Sequence, residues 1–187
     1  TDESDDDDDF DEVDYVTAEV LRDRLCLDLD LHHAGEDIRC LNNIASPVQT
    51  IRDTLMLMPR DTPEQLDMLR SRLSKVPASL SGYKESLIEA ASRGMVAPQR
   101  QISEVFVQSE RLADAGSMLE DLGLDADSAE VVKAKEAFGE FADWLSNELQ
   151  PQAPSQDAVG RERYERFSKL FVGDAVDLDE AYEWGLE

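Results

Sequence analysis

"SPVQTIRDTLMLMPRDTPEQL", residues 46–66, contains one helix-start device twice. Ser46 stands three residues before Gln49, and Thr62 three before Gln65. In each case a hydroxyl can accept an N–H of the first turn, and the amide side chain can return to the cap. Pro47 and Pro63 fall at the first helical position, where the missing N–H is not needed and φ is already helical. Val48, Ile51, Leu55 and Met58 then recur at helical spacing, as do Leu66, Leu69, Leu73 and Val76. The spacing predicts two amphipathic helices, the second ending or kinking at Pro77.

The same period runs outward in both directions. Upstream, a helix is predicted from Asp14 to His33. Its rows are Ala18, Leu21, Leu25 and Leu29, beside Val20, Leu27 and Leu31. So wide an apolar face predicts burial on more than one side. Gly35 is placed to take the left-handed conformation that closes a helix. Downstream, one helix carries Leu80, Tyr83, Leu87 and Ala91 and closes at Gly94. Another, after Pro98, carries Ile102, Val105, Phe106, Ser109 and Leu112 and ends near Gly116. "SMLEDLGLDAD" reads as a short helical turn or loop. Residues 128–149 form the longest later helix, with Ala134, Phe138, Phe141, Leu145 and Leu149 inward and Trp144 beside them. Residues 155–171 align Gly160, Tyr164, Phe167 and Phe171. Asp177 and Glu180 open a last helix with Leu178, Tyr182 and Leu186, which the capping signal expects to continue.

No segment alternates with period two, and no Asn-Gly or Asp-Gly hairpin turn occurs. The expected fold is all-α, an irregular multi-helix bundle of about seven helices. "TDESDDDDDFDE" is too densely charged to offset the entropy of ordering. Residues 1–13 are therefore expected to be a disordered acidic tail, and 14–187 a helical domain, the N-terminal portion of a larger one. Thr1 implies a processed or truncated start.

Net charge is −25, with ten acids and no base in residues 1–14. Such a field repels phosphate and argues against nucleic-acid binding. No apolar run approaches a bilayer span, and no signal peptide opens the chain. Cys26 and Cys40 lack Cys-x-x-Cys spacing and lie in apolar-patterned stretches. They are expected to be buried thiols in a reducing compartment, the cytoplasm.

Candidate chemistry is sparse. His32 and His33 are the only histidines. Neighbours on a helix diverge by about 100°, so one ion cannot take both from regular helix. If the helix ends there, Glu36 and Asp37 could complete a metal site; otherwise the pair is a polar last turn favoured by the helix dipole. "DDDDD" could hold calcium loosely, but it lacks an EF-hand's glycine and spaced carboxylates. Asn42 and Asn43 could bind backbone or ligand, or close turns. Arg161, Arg163 and Arg166 could recognise an anion or pair with neighbouring helices. No nucleophile elbow, phosphate loop or His-Glu-x-x-His motif is present. No catalytic or metal residue is assigned.

Four stretches, in order, resemble the N-terminal half of a bacterial family catalogued as domain of unknown function 885. They are "LHHAGEDIRCLNNIASPVQTIRD", "RLSKVPASLSGYKESLIEAASRGMVAP", "FADWLSNELQP" and "DAVGRERYERFSKLFVGDAVDLDEAYEWGLE". The resemblance spans residues 15–187 and rests on the order and spacing of helical blocks. It implies a largely helical metal-dependent peptidase, whose zinc-binding His/Glu motif lies beyond the matched region. The matched helices would form one wall of a substrate cleft, inactive alone. Its implied partners are the C-terminal half or a self-associated copy, and a peptide substrate. The rival expectation is a self-contained acidic interaction module without catalysis.

Overall fold

The computed structural model of the protein describes residues 10–187. The expected disordered tail lies, for residues 1–9, outside the described residues. All regular structure among the described residues is helical. The α-helices are α1 (Glu12–His33), α2 (Pro47–Leu57), α3 (Pro63–Leu73), α4 (Val76–Ser92), α5 (Gln99–Ala113), α6 (Ala129–Trp144), α7 (Arg161–Val172) and α8 (Leu178–Trp184). They divide between two compact units. One is Asp37–Asp157; the other combines Thr1–Glu36 with Ala158–Glu187.

The central unit, residues 37–157, is a helical bundle around α6, which packs on α3, α4 and α5. The sequence dictates this placement. Val131, Ala134, Phe138 and Phe141 bring one stripe of α6 to nearly complete burial. Ile102, Val105 and Leu112 of α5 and Leu80, Tyr83 and Leu87 of α4 are buried as well. Both helix-start devices form. The Gln49 side-chain oxygen accepts the Ser46 N–H at 2.8 Å. Thr62 Oγ1 accepts the Gln65 N–H, and Gln65 Oε1 accepts the Thr62 N–H, each at 3.3 Å. The helix boundary near Pro77 differs from expectation. α3 stops at Leu73, and Val76 belongs to α4, with Pro77 in its first turn. A proline there sacrifices no hydrogen bond, so it starts a helix instead of kinking one.

The helix predicted over 128–149 changes pitch. α6 ends at Trp144, Leu145–Leu149 forms a π-helical turn, and Gln150–Gln152 a 3₁₀ turn. The Gln150 N–H reaches back five residues to the Leu145 carbonyl. Pro151 cannot donate and would crowd the carbonyl of Asn147 in a continuing α-helix. The widened turn ends the ladder before that clash and keeps Leu145 and Leu149 buried. Between α5 and α6, Leu119, Leu122 and Leu124 of the irregular stretch also enter the core.

The terminal unit is built differently. α1 begins at Glu12, ahead of the expected Asp14, because Asp11 accepts the N–H groups of Val13 and Asp14 while Asp14 returns to Asp11. Gly35, at φ +72°, closes the helix as expected. The Gly35 N–H donates to the His32 carbonyl and the Glu36 N–H to the Leu31 carbonyl, the paired bonds of a Schellman closure. The burial expected for α1 is overturned. Val20, Leu21, Leu25 and Leu29 are exposed, and Leu27 is its buried residue. An apolar pattern demands a partner surface but does not supply one. α7 starts at Arg161, not upstream, because Gly160 adopts φ +81° and caps it from outside the helical row. Asp177 caps α8 by accepting the Asp179 and Glu180 N–H groups.

Candidate functional site

Glu36 is the carboxylate around which the terminal unit's polar geometry gathers. The Schellman turn fixes its backbone, and its side chain is only 6% exposed. Arg163 of α7 donates Nε–H to both Glu36 oxygens, at 2.9 and 3.0 Å, and an Nη2–H to Oε2 at 2.8 Å. This two-pronged geometry is the strongest form of the ion pair. It also uses the lone pairs a metal would need. The neighbouring His32 and His33 rings lie 6.0 Å apart with planes inclined by 53°. Among the described residues no group of three or more His, Cys, Asp or Glu side chains is arranged to hold a metal ion. The residues present therefore do not fit a zinc site at His32, His33 and Glu36. The acidic run at residues 5–9 lies outside the described residues.

The arginine cluster resolves into pairs. Arg161 makes a fork to Asp179, at 3.0 and 2.8 Å, and reaches Glu165 at 3.0 Å. Those bonds, Asp179 first, hold the guanidinium's pKa above its ordinary value. They hold the Asp179 carboxyl below its own. Arg166 pairs with Glu162. Lys169 reaches Asp23 at 2.9 Å, and Arg24 donates to the Leu170 carbonyl at 3.3 Å. α1, α7 and α8 are thus joined through charges, with every arginine of the cluster engaged.

Asn42 closes a turn. Its side-chain oxygen accepts the Ile44 and Ala45 N–H groups at 2.9 and 2.6 Å, and its Nδ2 donates to the Ala45 carbonyl at 3.0 Å. Asn43 is held through its backbone, its N–H on Gln101 Oε1 and its carbonyl on Gln108 Nε2. Gln49 donates to Gln108 Oε1 at 2.7 Å. Sequence reasoning missed Gln101 and Gln108. They lie seven residues apart on α5, two turns along one face, beside an apolar stripe. Tyr83 donates its hydroxyl to the Cys40 carbonyl at 2.7 Å. Burial pushes that phenol above its ordinary range, so Tyr83 serves as a neutral donor.

The cysteine expectation also fails in detail. Cys26 is exposed and Cys40 half-buried. Cys26 lies on the wide α1 face, and its thiol is uncovered for the same reason as its leucine neighbours.

What stands out is surface. Val13, Val16, Val20, Leu21, Leu25 and Leu29 of α1 are exposed. So are Tyr164, Phe171 and Val172 of α7 and Tyr182 and Trp184 of α8. Single exposed apolar residues are ordinary; rows of them, as along α1 and α7, mark surfaces for macromolecular contact. The whole unit has 23 acids against 6 bases. Together these features define an acidic all-helical protein with exposed apolar residues along its terminal helices. The chain belongs to the family described as "Bacterial protein of unknown function (DUF885)", whose model matches residues 2–187. No curated protein matches the sequence. No described helix is long and apolar enough to cross a membrane.

Proposed function

We propose that these residues are the N-terminal helical scaffold and substrate-cleft wall of a metal-dependent peptidase, inactive alone. The observation supporting this is the run of exposed apolar residues on α1, α7 and α8, in a unit where Arg161, Arg163, Arg166 and Lys169 are each already paired with an acid of the same unit. A face of that kind suits docking against further protein. The proposed occupant is the family's metal-binding half or a second copy. Zinc would be held in that half, since Glu36 is engaged by Arg163. Cys26, an exposed thiol, fits a reducing compartment, and the cytoplasm is the proposed location.

The acidity suggests a role for the wall. A strongly negative surface raises the local concentration of cationic ligands and repels nucleic acid. Basic peptides are the proposed substrate class. Their kcat/KM in the complete protein should fall steeply with ionic strength; a flat salt response counts against steering.

The reading is tested by following the coding frame past Glu187. A continuation with a His/Glu metal motif supports it. A stop codon there sinks it and favours the second reading, a self-contained acidic interaction module. The purified residues should self-associate in sedimentation experiments and lack peptidase activity. A stable monodisperse monomer argues against an uncovered docking face.

A further inference from the structure

The central unit carries a different kind of surface. A cleft of about 340 Å3 opens between α2 and the C-terminal end of α5. Val48 and Leu112, both buried, form its apolar floor. Arg52, Arg111, Gln108 and Ser117 supply its polar lining. No aspartate or glutamate lines it among the described residues, although residues 37–157 carry 20 acids against 12 bases. Two guanidinium groups without a carboxylate on the wall are unexpected in such a background.

Each polar group has a defined state. Arg52 donates Nε–H to Asp53 at 2.7 Å, which orients the guanidinium and leaves its Nη groups for another acceptor. Arg111 lies in the last turn of α5, where the helix carbonyls favour a cation. Gln108 is fixed at both ends of its amide, by Gln49 and by the Asn43 carbonyl, so this wall is rigid. Ser117 is only 6% exposed, and its hydroxyl has no hydrogen-bond partner. That hydroxyl oxygen is closed off from solvent, so the cleft's accessible donors are the two guanidinium groups.

We propose that this cleft binds an oxyanion, a carboxylate or a phosphate. Arg52 and Arg111 flank the anion, and Val48 and Leu112 take an apolar substituent. Guanidinium forks match both kinds of oxyanion geometrically. The cleft belongs to this bundle alone and does not depend on the peptidase reading.

The test is calorimetric titration of the whole chain, at fixed ionic strength, with three probes. These are inorganic phosphate, N-acetyl-leucine and the neutral N-acetyl-leucinamide. At least one anion should bind saturably with a Kd of about 1 mM or tighter, and the amide should not. Tighter phosphate points to a phosphorylated ligand; tighter N-acetyl-leucine points to a carboxylate such as a peptide terminus. Arg52→Gln and Arg111→Gln should each weaken binding about tenfold, as expected for loss of a charged hydrogen bond. Three results would each overturn the proposal: no saturation by either anion, equal binding of acid and amide, or unchanged binding in the double arginine variant. Unaltered circular dichroism of the variants separates lost binding from lost structure.

Discussion

Phe138 and Leu25 are both large apolar residues on long helices, yet Phe138 is 0% exposed and Leu25 52%. The contrast extends to the units that hold them. The contiguous apolar core runs from Leu41 to Ala153, all of it within residues 37–157. Among the described residues of the terminal unit Leu27 is the buried large hydrophobic, and α1, α7 and α8 are linked by charge: Arg163 with Glu36, Lys169 with Asp23, Arg161 with Asp179. Burial of apolar area stabilises without regard to direction. Ion pairs contribute little when exposed and more when partly buried and geometrically matched. One region therefore folds around its own core. The other leaves apolar side chains of α1, α7 and α8 exposed.

The comparison can be broken at either end. Phe138→Ala should cost about 3–5 kcal/mol, read as the shift in urea unfolding of the central unit. A loss below about 1 kcal/mol would show that its core repacks freely. Glu36→Gln should cost the terminal unit about 3 kcal/mol, because it leaves Arg163 facing a half-buried site without its counter-charge. Faster amide exchange along α1, with the central unit unchanged, is the expected signature. Gly173→Ala should cost about 1 kcal/mol, since Gly173 sits at φ +91° with Arg24 Nη2 only 3.2 Å from the added carbon.

A smaller effect follows from pH. The Lys135 hydrogen bond, with the Gly116 N–H second, holds the Glu120 carboxyl below its usual range. A carboxyl lowered on folding contributes stability above its unfolded pKa of about 4.3, and loses it as pH falls through the folded value. Glu120→Gln should remove that acid-side loss from the unfolding midpoint of the central unit. An unchanged acid profile would show that the pair does not matter in solution. Lys169 has the opposite sign. Asp23 raises its pKa, so its contribution is complete below the ordinary lysine range and fades as pH rises through the raised value. Smallest of all, Leu25→Ala should change stability by less than about 0.5 kcal/mol in the monomer. A larger loss would mean that the α1 face is covered in solution.

Legibility followed the same divide. In the central unit the stripes of α2, α4, α5 and α6 were readable because spacing and burial coincide there. Leu55, Tyr83, Val105 and Phe138 each meet a partner helix of the same bundle. The glutamine contacts were not readable. Gln101 and Gln108 find Asn43 across separations of 58 and 65 residues, a distance no local pattern encodes. In the terminal unit the stripe of α1 was seen, but its burial was inferred from width alone. Tyr164 and Phe171 of α7 also align at helical spacing. Both are exposed, Phe171 by 84%. The three arginines of α7 were recognised as a cluster, whereas which acid each would meet depended on tertiary placement.

Local chemistry settled the helices themselves. Caps at Ser46, Thr62 and Asp177, prolines at Pro47 and Pro63, and Gly35 act within a turn or two. Their physics is complete in the sequence. Tertiary structure decided what those helices do with their faces. It put Phe138 in a core, left Leu25 in water, and paired Glu36 with Arg163. Periodicity determines which residues share a face. Only packing determines whether that face meets another.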